Sequence, residues 1–558
     1  MSTVPVLIVG GGPSGLAAAL ELGRRGIEVL VVEPRTTLDP LRARAKTTSV
    51  RTMEHLRRWG LADRLRELAP LPVAHAQDVV FCTGLFGHEI TRFTEAFGLV
   101  TDRREEFAEA GQQVPQPVVE QVLREAVAEL PTVSLQIGWE AESIEDGPDV
   151  VRAVLRDPDG VRHEVVAEYV LGCDGSSGIT RRAIGVRYEG SSGTMPNLSV
   201  TFRAPALETR ALCALGVHYW VLGAEVGGLM GRLDLDGTWW AIVQGVHEDA
   251  DAAALVRSLI GADVGVDVLA TDPWSARMLL VDRYRGQRVF LVGDAAHLNP
   301  PWGGHGFNTC VGDAVNLGWK LAAVLRGWAS EGLLDSYQAE RRPVAARTID
   351  AAGSQEAFLA PALKREIAGG ADLTDSGPAG QALRARLADG LQVKDAEFHS
   401  LGLVLGYDYP DSPVVVPDGA VVPEDAGVLD GPDVGSGTTV PEPTLTLYTP
   451  SAHPGARLPH AWLPDGGSLY DRLGPEFTLL RVGAGDVDGV VSAADRLGIP
   501  VQVVDLTDRP ELRPHYGADL VLVRPDQHVA WRGGRVEDAE TLLRTVTGST
   551  VSVPSPTP

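Results

Sequence analysis

Two glycine-rich segments of this chain carry the residue types that bind a dinucleotide. The first follows an apolar strand predicted over Val4–Val9 and reads Gly10-Gly-Gly12-Pro-Ser-Gly15, the Gly-x-Gly-x-x-Gly spacing. These glycines allow a tight turn, a close approach to a pyrophosphate and close packing of helix on strand. Glu33 ends the next predicted strand and can accept hydrogen bonds from ribose hydroxyls, which favours NAD or FAD over NADP.

The second segment combines an acid with a predicted helix start. A buried strand over Val289–Val292 leads into Gly293-Asp294, and a rigid Pro300-Pro301 turn precedes a glycine-rich loop. We expect the following helix to begin at Asn308. An acid here can hold a ribityl or ribose hydroxyl, and free N–H groups at a helix start can hold a phosphate or a ring carbonyl. This second contact region favours FAD over NAD.

In combination, the motifs resemble the class A single-component FAD-dependent aromatic hydroxylases, the para-hydroxybenzoate hydroxylase group. The residues that carry the resemblance are Gly10, Gly12, Gly15, Glu33, Arg44 within Arg42-Ala-Arg-Ala45, Cys173-Asp-Gly-Ser176, Gly293-Asp294 and Pro300-Pro301. They span roughly the first 345 residues. The rest resembles the subgroup with a C-terminal thioredoxin-like domain, which includes phenol and polyketide hydroxylases.

The fold class that the resemblance implies is α/β. A Rossmann-like FAD-binding domain interleaves with an antiparallel-sheet substrate domain, and a thioredoxin-like domain follows. The expected ranges are 1–75, 102–187 and 280–345 for FAD binding, 76–101 and 188–279 for substrate, 346–405 helical, 406–444 linker, 445–548 thioredoxin-like, and 549–558 a disordered tail. The last domain contains no cysteine, so we expect it to pack or form a subunit interface rather than exchange disulfides.

The resemblance also implies site residues. For the cofactor they are Gly10, Gly12, Pro13, Ser14, Gly15, Glu33, Arg35, Arg44, Ala45, Gln116, Asp174, Gly293, Asp294, Pro301, Gly304, Gly306, Phe307 and Asn308. Pro301, Gly303, Gly304 and His305 would position the flavin, and Tyr219, Arg232, Pro301 and Trp302 would contact the substrate. After Asp174 the chain departs from the family's Ser-x-Val-Arg pattern, which leaves open whether Arg181 or Arg182 contacts the pyridine nucleotide.

The activity implied is that of an NAD(P)H-dependent flavoprotein monooxygenase. NADH or NADPH, bound transiently, would reduce FAD, and O2 would form a flavin C4a-hydroperoxide that hydroxylates a phenol-like ring or an aromatic polyketide of antibiotic biosynthesis. N–H groups at Phe307 and Asn308 would stabilise the reduced ring. Epoxidation or Baeyer-Villiger chemistry, flavin-dependent halogenation and a non-catalytic FAD-binding role stand as alternatives. The usual Trp-x-Trp-x-Ile-Pro halogenase signature is absent, since the chain reads Trp239-Trp-Ala-Ile-Val.

The composition limits the kinds of partner that we expect the protein to bind. The 558 residues carry a formal net charge of -25, which disfavours nucleic acid. The four cysteines are widely spaced, and no histidines stand at metal-ligand spacing, so no metal site is expected. Without a signal peptide or an apolar run long enough to span a bilayer, the sequence predicts a cytoplasmic protein that does not bind membranes. We expect a small aromatic substrate and a homo-oligomer.

Overall fold

The computed structural model describes residues 2–42, 44–210, 212–222, 227–355, 372–418 and 444–549, apart from the side chain of Thr194. Its strands are β1 Ser2–Val9, β2 Val29–Glu33, β3 Thr47–Thr48, β4 Val79–Cys82, β5 Glu89–Phe93, β6 Gln112–Gln113, β7 Val133–Ile137, β8 Glu140–Asp146, β9 Val151–Arg156, β10 Arg162–Gly172, β11 Tyr188–Arg203, β12 His218–Val221, β13 Gly228–Arg232, β14 Thr238–Gln244, β15 Asp267–Val281, β16 Val289–Leu291, β17 His297–Leu298, β18 Phe477–Arg481, β19 Val501–Asp505, β20 Leu520–Val523 and β21 Val529–Gly533. Its α-helices are α1 Pro13–Gly23, α2 Val50–Trp59, α3 Ala62–Leu68, α4 Gln116–Ala128, α5 Ile179–Ala183, α6 Ala252–Ile260, α7 His305–Leu325, α8 Gly332–Ser354, α9 Pro378–Gly390, α10 Asp395–Phe398, α11 Leu401–Val404, α12 Asp488–Leu497, α13 Leu512–Tyr516 and α14 Ala539–Val546.

The first sheet places both glycine-rich segments at one edge. Its order is β7-β2-β1-β10-β9-β8, and β16 pairs with the C-terminal half of β10. Strands β7, β2, β1, β10 and β16 run parallel to one another, so the turns after β1 and β16 emerge at the same end of the sheet. The residues Val6–Val9 are buried, as in a parallel strand covered on both faces.

The second sheet, called the roof below, has eight strands. Its order is β17-β15-β11-β14-β13-β12-β4-β5. Neighbouring strands are antiparallel except β12 and β4, which pair in parallel. One face packs on α6 and buries Tyr219 and Trp239, while the opposite face carries Trp220 and Trp240. The alternation follows from the two-residue period of a strand.

Two boundaries, the start of α7 and the end of α8, lie at other residues in the structure than the sequence predicted. Helix α7 begins at His305, three residues before the predicted start at Asn308, because Gly303 (φ +75°) and Gly304 (φ +67°) complete the turn first. Helix α8 runs through the expected boundary at residue 345 to Ser354. Of the predicted helical region, 356–371 lies outside the described residues, as do most of the linker (419–443) and the tail from 550.

The C-terminal unit is a four-stranded sheet, β19-β18-β20-β21, flanked by α12 and α14. It packs against the end of α7, where Trp319 and Trp328 join its core. With the two preceding sheets this confirms the predicted α/β fold class. No helix among the described residues has the length and apolar character needed to cross a bilayer.

Buried charges join this unit to the rest of the chain. Arg457 and Glu54 form an ion pair whose side chains are 1% and 0% exposed. Arg51 donates to Glu54 (3.0 Å) and to the carbonyl oxygen of Asp526 (2.7 Å). Although burial opposes it, the charge of Arg457 together with that of Arg51 lowers the pKa of Glu54. The ionised carboxylate therefore depends on its arginine partners.

We expect Arg457→Met to destabilise the protein strongly. The variant leaves a buried carboxylate with one of its two cations removed, a change that costs about 3 to 5 kcal/mol in other proteins. Urea denaturation followed by tryptophan fluorescence measures the loss. As a matched control, Arg544→Met breaks an exposed pair with Glu540 and should change stability by less than about 0.5 kcal/mol. Equal denaturation midpoints for both variants would contradict this reading of the interface.

Candidate cofactor and substrate site

The glycine turn after β1 is shaped for a pyrophosphate. A Cβ added at Gly10 would overlap the carbonyl oxygen of Cys173, and one at Gly15 would overlap that of Gly10. At Gly12 the nearest atom to an added Cβ is Arg35 Nη2 at 3.8 Å, so this backbone is approachable from outside. Gly12 is also the N-cap of α1, with Pro13 in its first turn and no side chain capping it. The free N–H groups at this helix start form an anion site.

Glu33 lies at the tip of β2, beside that turn. Its carboxylate is 3% exposed and accepts hydrogen bonds from the N–H of Gly11 (2.8 Å) and the N–H of Arg35 (2.8 Å). Arg35 also pairs with Glu120 and keeps half of its side chain exposed. A buried acid beside a phosphate-binding turn fits the adenosine ribose of a dinucleotide.

The Gly293-Asp294 segment follows β16 at the same edge. Gly293 adopts φ +63° and packs against Ser14 and Cys310, so the two glycine-rich segments touch. Its N–H donates to buried Asp313 (3.2 Å). The carboxylate of Asp294 is exposed, while its carbonyl oxygen accepts from the hydroxyl of Tyr188. The acid is thus held at a fixed point of the backbone with its side chain available.

The predicted contacts at Ala45 and Gln116 meet across a short ladder. Strand β3 pairs with β6, and the N–H of Gln116 donates to Ala45 O (2.8 Å). The side-chain amide of Gln116 donates to Glu120 (2.7 Å). Arg44 is exposed at the start of this ladder. The three residues therefore lie together.

Asp174 and the two arginines after it occupy different settings. The Asp174 carboxylate accepts from the N–H (2.9 Å) and hydroxyl (2.6 Å) of Thr180, and burial raises its pKa. Arg181 donates to the carbonyls of Ser176 and Val186 and stacks on Tyr188 at 4.1 Å. Arg182 is exposed. Arg181 is thus held by the fold, whereas Arg182 is the more available of the pair.

A buried acid that the sequence reading missed holds the loop before α7. Glu397 accepts a hydrogen bond from the N–H of Gly303 (3.2 Å) and forms an ion pair with Lys394. Burial raises the pKa of Glu397, and the charge of Lys394 opposes that rise. Both residues lie in the helical region near position 395, far from the loop in sequence. Only the tertiary fold reveals the contact.

Two histidines near this loop, His305 and His297, make different contacts within the protein. His305 is buried against Gly303, and burial lowers its pKa to about 4, so it is neutral at physiological pH. His297 Nε2 lies 2.8 Å from Asp313 and Nδ1 lies 3.0 Å from Asn299. Although burial opposes it, Asp313 raises the pKa of His297. Among the described residues, no group of His, Cys, Asp and Glu is arranged to hold a metal ion.

The start of α7 offers a second set of free N–H groups. Because the helix begins at His305 with Gly304 as an N-cap lacking a side chain, the free donors belong to His305, Gly306 and Phe307. Asn308 is the fourth residue of this helix. Its side-chain oxygen accepts from the N–H of Ser49 (2.9 Å), and its side-chain amide donates to Thr47 O (3.1 Å).

The predicted substrate contacts separate onto two faces of the roof. Tyr219 donates its hydroxyl to Ala214 O (3.1 Å), and Arg232 pairs with Glu208 over the Trp239 ring. Both lie on the face that packs on α6, away from the loop before α7, which argues against substrate contact. Trp302 is partly buried against the opposite face, and Pro301 is exposed beside it.

The face of the roof that carries Trp220 and Trp240, called the inner face below, also carries polar residues. His218 Nε2 lies 3.1 Å from Gln113 Nε2, and its ring packs edge-on against Trp240. Lys46 Nζ lies 4.4 Å from the centre of the Trp240 ring. The alternation of a strand alone does not say which of its faces points inward. These residues come from β6, β12, β14 and the segment before β3.

Comparison with known proteins identifies both parts of the chain. A family model described as an FAD binding domain matches residues 3–352, and one described as the C-terminal region of aromatic-ring hydroxylases matches residues 451–550.

Among curated proteins, the chain is 33% identical to a 4-methyl-5-nitrocatechol 5-monooxygenase of Burkholderia sp., over 97% of this chain and 96% of that protein. It is 30% identical to a putative polyketide hydroxylase of Streptomyces halstedii, over 99% and 97%. Among solved structures, it resembles the rebeccamycin biosynthetic enzyme RebC with reduced flavin, with a TM-score of 0.84, 34% identity, and coverage of 98% of this chain and 99% of that one. The chain therefore belongs to the family of FAD-binding aromatic-ring hydroxylases, and it is a flavoprotein monooxygenase.

Proposed function

We propose that the protein consumes NAD(P)H and O2 to hydroxylate a phenol-like or polyketide aromatic ring. The overall balance is one arene C–H converted to C–OH, with NAD(P)H and one proton reducing the second oxygen atom to water. One observation carries the proposal. The glycine turn at Gly12, the exposed acid Asp294 and the free N–H groups of α7 lie along one edge of the first sheet, and Trp302 in the loop before α7 packs on the roof.

The residues at this edge fit FAD. The open backbone at Gly12 and the start of α1 would hold the pyrophosphate, and buried Glu33 would accept from the adenosine ribose. Asp294 would hold the ribityl chain, and Arg44, Ala45 and Gln116 would contact the ring system. When bound and reduced, the flavin supplies the oxygen chemistry that side chains lack.

The protein's own residues would orient the flavin ring and shield the reacting space. The N–H groups of Gly306 and Phe307 would stabilise negative charge on a ring carbonyl, since they lie at the positive end of the α7 dipole. Glu397 would fix the Gly303 backbone that borders the reacting space. Pro301 and Trp302 would close this space from the loop side. Neutral His305 would pack the loop without adding charge.

The proposed substrate class rests on the names of the relatives. One relative's name specifies a nitrocatechol and another's a polyketide, both aromatic compounds that carry hydroxyl groups. The inner face of the roof, with Trp240 and His218, and the ring of Trp302 on the same side offer aromatic surface and polar groups together. The choice between NADH and NADPH, a homo-oligomeric state and a cytoplasmic location stay predictions.

The first experiment follows NADH and NADPH oxidation by the FAD-loaded protein in air. The panel contains phenols, hydroxypyridines and polycyclic quinols, and mass spectrometry examines the products. We expect one ring class to stimulate oxidation and to yield a product heavier by one oxygen atom. A flavin that neither nucleotide reduces would favour the non-catalytic alternative. A chlorinated or brominated product in the presence of halide would favour halogenation.

We expect Gly12→Ala to weaken FAD binding by about tenfold or more, roughly 1.4 kcal/mol. The backbone of Gly12 has φ -78°, which alanine adopts, and an added Cβ meets no protein atom closer than 3.8 Å. The apoprotein should therefore fold, and the methyl group should occupy the approach to the pyrophosphate. Titration of apoprotein with FAD, followed by flavin fluorescence, measures the affinity. Gly265→Ala, at a position with no atom within 4 Å, is the matched control and should bind FAD normally.

We expect Glu397→Gln to raise the fraction of NAD(P)H oxidation that yields hydrogen peroxide by about threefold. The variant replaces a charge-assisted hydrogen bond to the Gly303 N–H with a neutral one of about half the strength. Peroxide and hydroxylated product, counted per NAD(P)H with the substrate found above, give the ratio. Asp395→Asn, on the same short helix but exposed and paired with His399, is the control. An equal effect of both variants would contradict a specific role for Glu397.

A further inference from the structure

Lys46 is a cation without an anionic partner in the part of the chain that the structure describes. Its Nζ donates to the carbonyl oxygen of Arg44 (3.1 Å) and otherwise faces the Trp240 ring. No carboxylate of the described ranges lies within ion-pair distance of it. The other two lysines in those ranges behave differently. Lys320 and Lys394 each pair with a buried glutamate.

The surroundings of Lys46 add no second charge. His218 packs against the same Trp240 ring, with centroids 5.0 Å apart. Burial, and next the charge of Lys46, lower the pKa of His218 to about 3, so His218 is neutral at physiological pH. Burial lowers the pKa of Lys46 to about 8, which leaves most of the ammonium protonated near neutral pH. Gln113, bonded to His218, supplies an uncharged amide. The facing groups from β6, β12 and β14 are therefore all neutral.

Lys46 stands next to the loop that precedes α7. The following residue, Thr47, accepts a hydrogen bond from Asn308 (3.1 Å), and its side chain lies against Gly304. On the other side, the Trp240 ring belongs to the inner face of the roof. An aromatic molecule between the roof and the loop at Gly303 and Gly304 would thus lie beside the ammonium. Lys46 is only partly buried.

We propose that Lys46 is the counter-ion for an anionic oxygen of the aromatic substrate. The inference rests on the proposed function and narrows its substrate class to rings that carry an ionised hydroxyl or a carboxylate. For a phenol, the O–H bond breaks, the proton passes to solvent, and the oxygen keeps the electron pair. Ionisation enriches the ring in electrons, which favours transfer of an electrophilic oxygen to it. A partly desolvated ammonium stabilises the anion more than it would in water.

The test measures binding to the FAD-loaded protein in the absence of NAD(P)H. Alizarin is the phenolic probe, because its anion absorbs at longer wavelengths than flavin. Anthraquinone-2-carboxylate is the second anion, and 2-(hydroxymethyl)anthraquinone is the neutral control of similar shape. The proteins are wild type, Lys46→Met, Lys46→Arg and Arg42→Met. Arg42, four residues away, forms an exposed pair with Asp272 and controls for loss of one positive charge.

We expect the wild type to lower the apparent pKa of bound alizarin by about one unit, a tenfold change in its ionisation constant. Lys46→Met should abolish this shift, while Lys46→Arg and Arg42→Met retain it. Should the carboxylate be the preferred anion, it will bind at least tenfold more weakly to Lys46→Met, and the alizarin shift will be small. Either pattern supports Lys46 as the counter-ion and identifies whether it binds a phenolate or a carboxylate.

The proposal is overturned when Lys46→Met binds both anions as the wild type does, or when the wild type prefers neither anion over the neutral ring. FAD content and thermal denaturation check each variant. Should Lys46→Met fail to fold, the wild-type preference and its retention in Lys46→Arg decide the question. Because no turnover is involved, a protein that binds ring anions but oxidises no NAD(P)H would contradict the proposed function and leave this inference standing.

Discussion

Two fully buried carboxylates, Asp313 and Glu340, constrain the rest of the structure. Asp313 accepts from the N–H of Gly293, from Arg341 and from His297, while Glu340 accepts from Lys320, Arg524, Asn316 and Ser412. Although burial opposes ionisation, Arg524 and Lys320 lower the pKa of Glu340 to about 2. A buried carboxylate that lost a partner would cost several kcal/mol. The segment at Gly293, where we propose that the cofactor binds, and the C-terminal sheet are therefore held by one network.

Helix α7 is the element through which this network acts. Its first turn offers free N–H groups beside the proposed flavin position, its middle carries Asp313 and Asn316, and its later turns carry Trp319 and Lys320 into the C-terminal interface. Arg524 and Asp526, either side of Pro525, complete the bonds from the other side. This explains why a domain without cysteine has a place in a redox enzyme. It supplies partners for buried charges rather than thiol chemistry.

The sequence predicted those features that are determined by residues close together in the chain. The Gly-x-Gly-x-x-Gly turn and the acid-tipped strand ending at Glu33 are fixed by residues within one strand-helix-strand unit, and the structure places them together. The inward face of the roof was not predictable, because the two-residue period of a strand separates Tyr219 from His218 without telling which faces the core. The helix start was misplaced because two glycines with positive φ shorten the loop. Glu397 and Lys46 acquire their roles only through contacts distant in sequence.

The electrostatics of the site follow from local groups rather than from the chain's overall charge. The protein carries a formal net charge of -25, yet its proposed ligands, a pyrophosphate and a ring anion, are themselves negative. Two N-termini of helices without capping side chains, those of α1 and α7, present free N–H groups at one edge, and Lys46 adds a cation nearby. Neutral His218 and His305 contribute no competing charge. At physiological ionic strength, screening over about 8 Å weakens the repulsion from distant surface acids, so we expect these close donors to dominate the electrostatic potential at the proposed site.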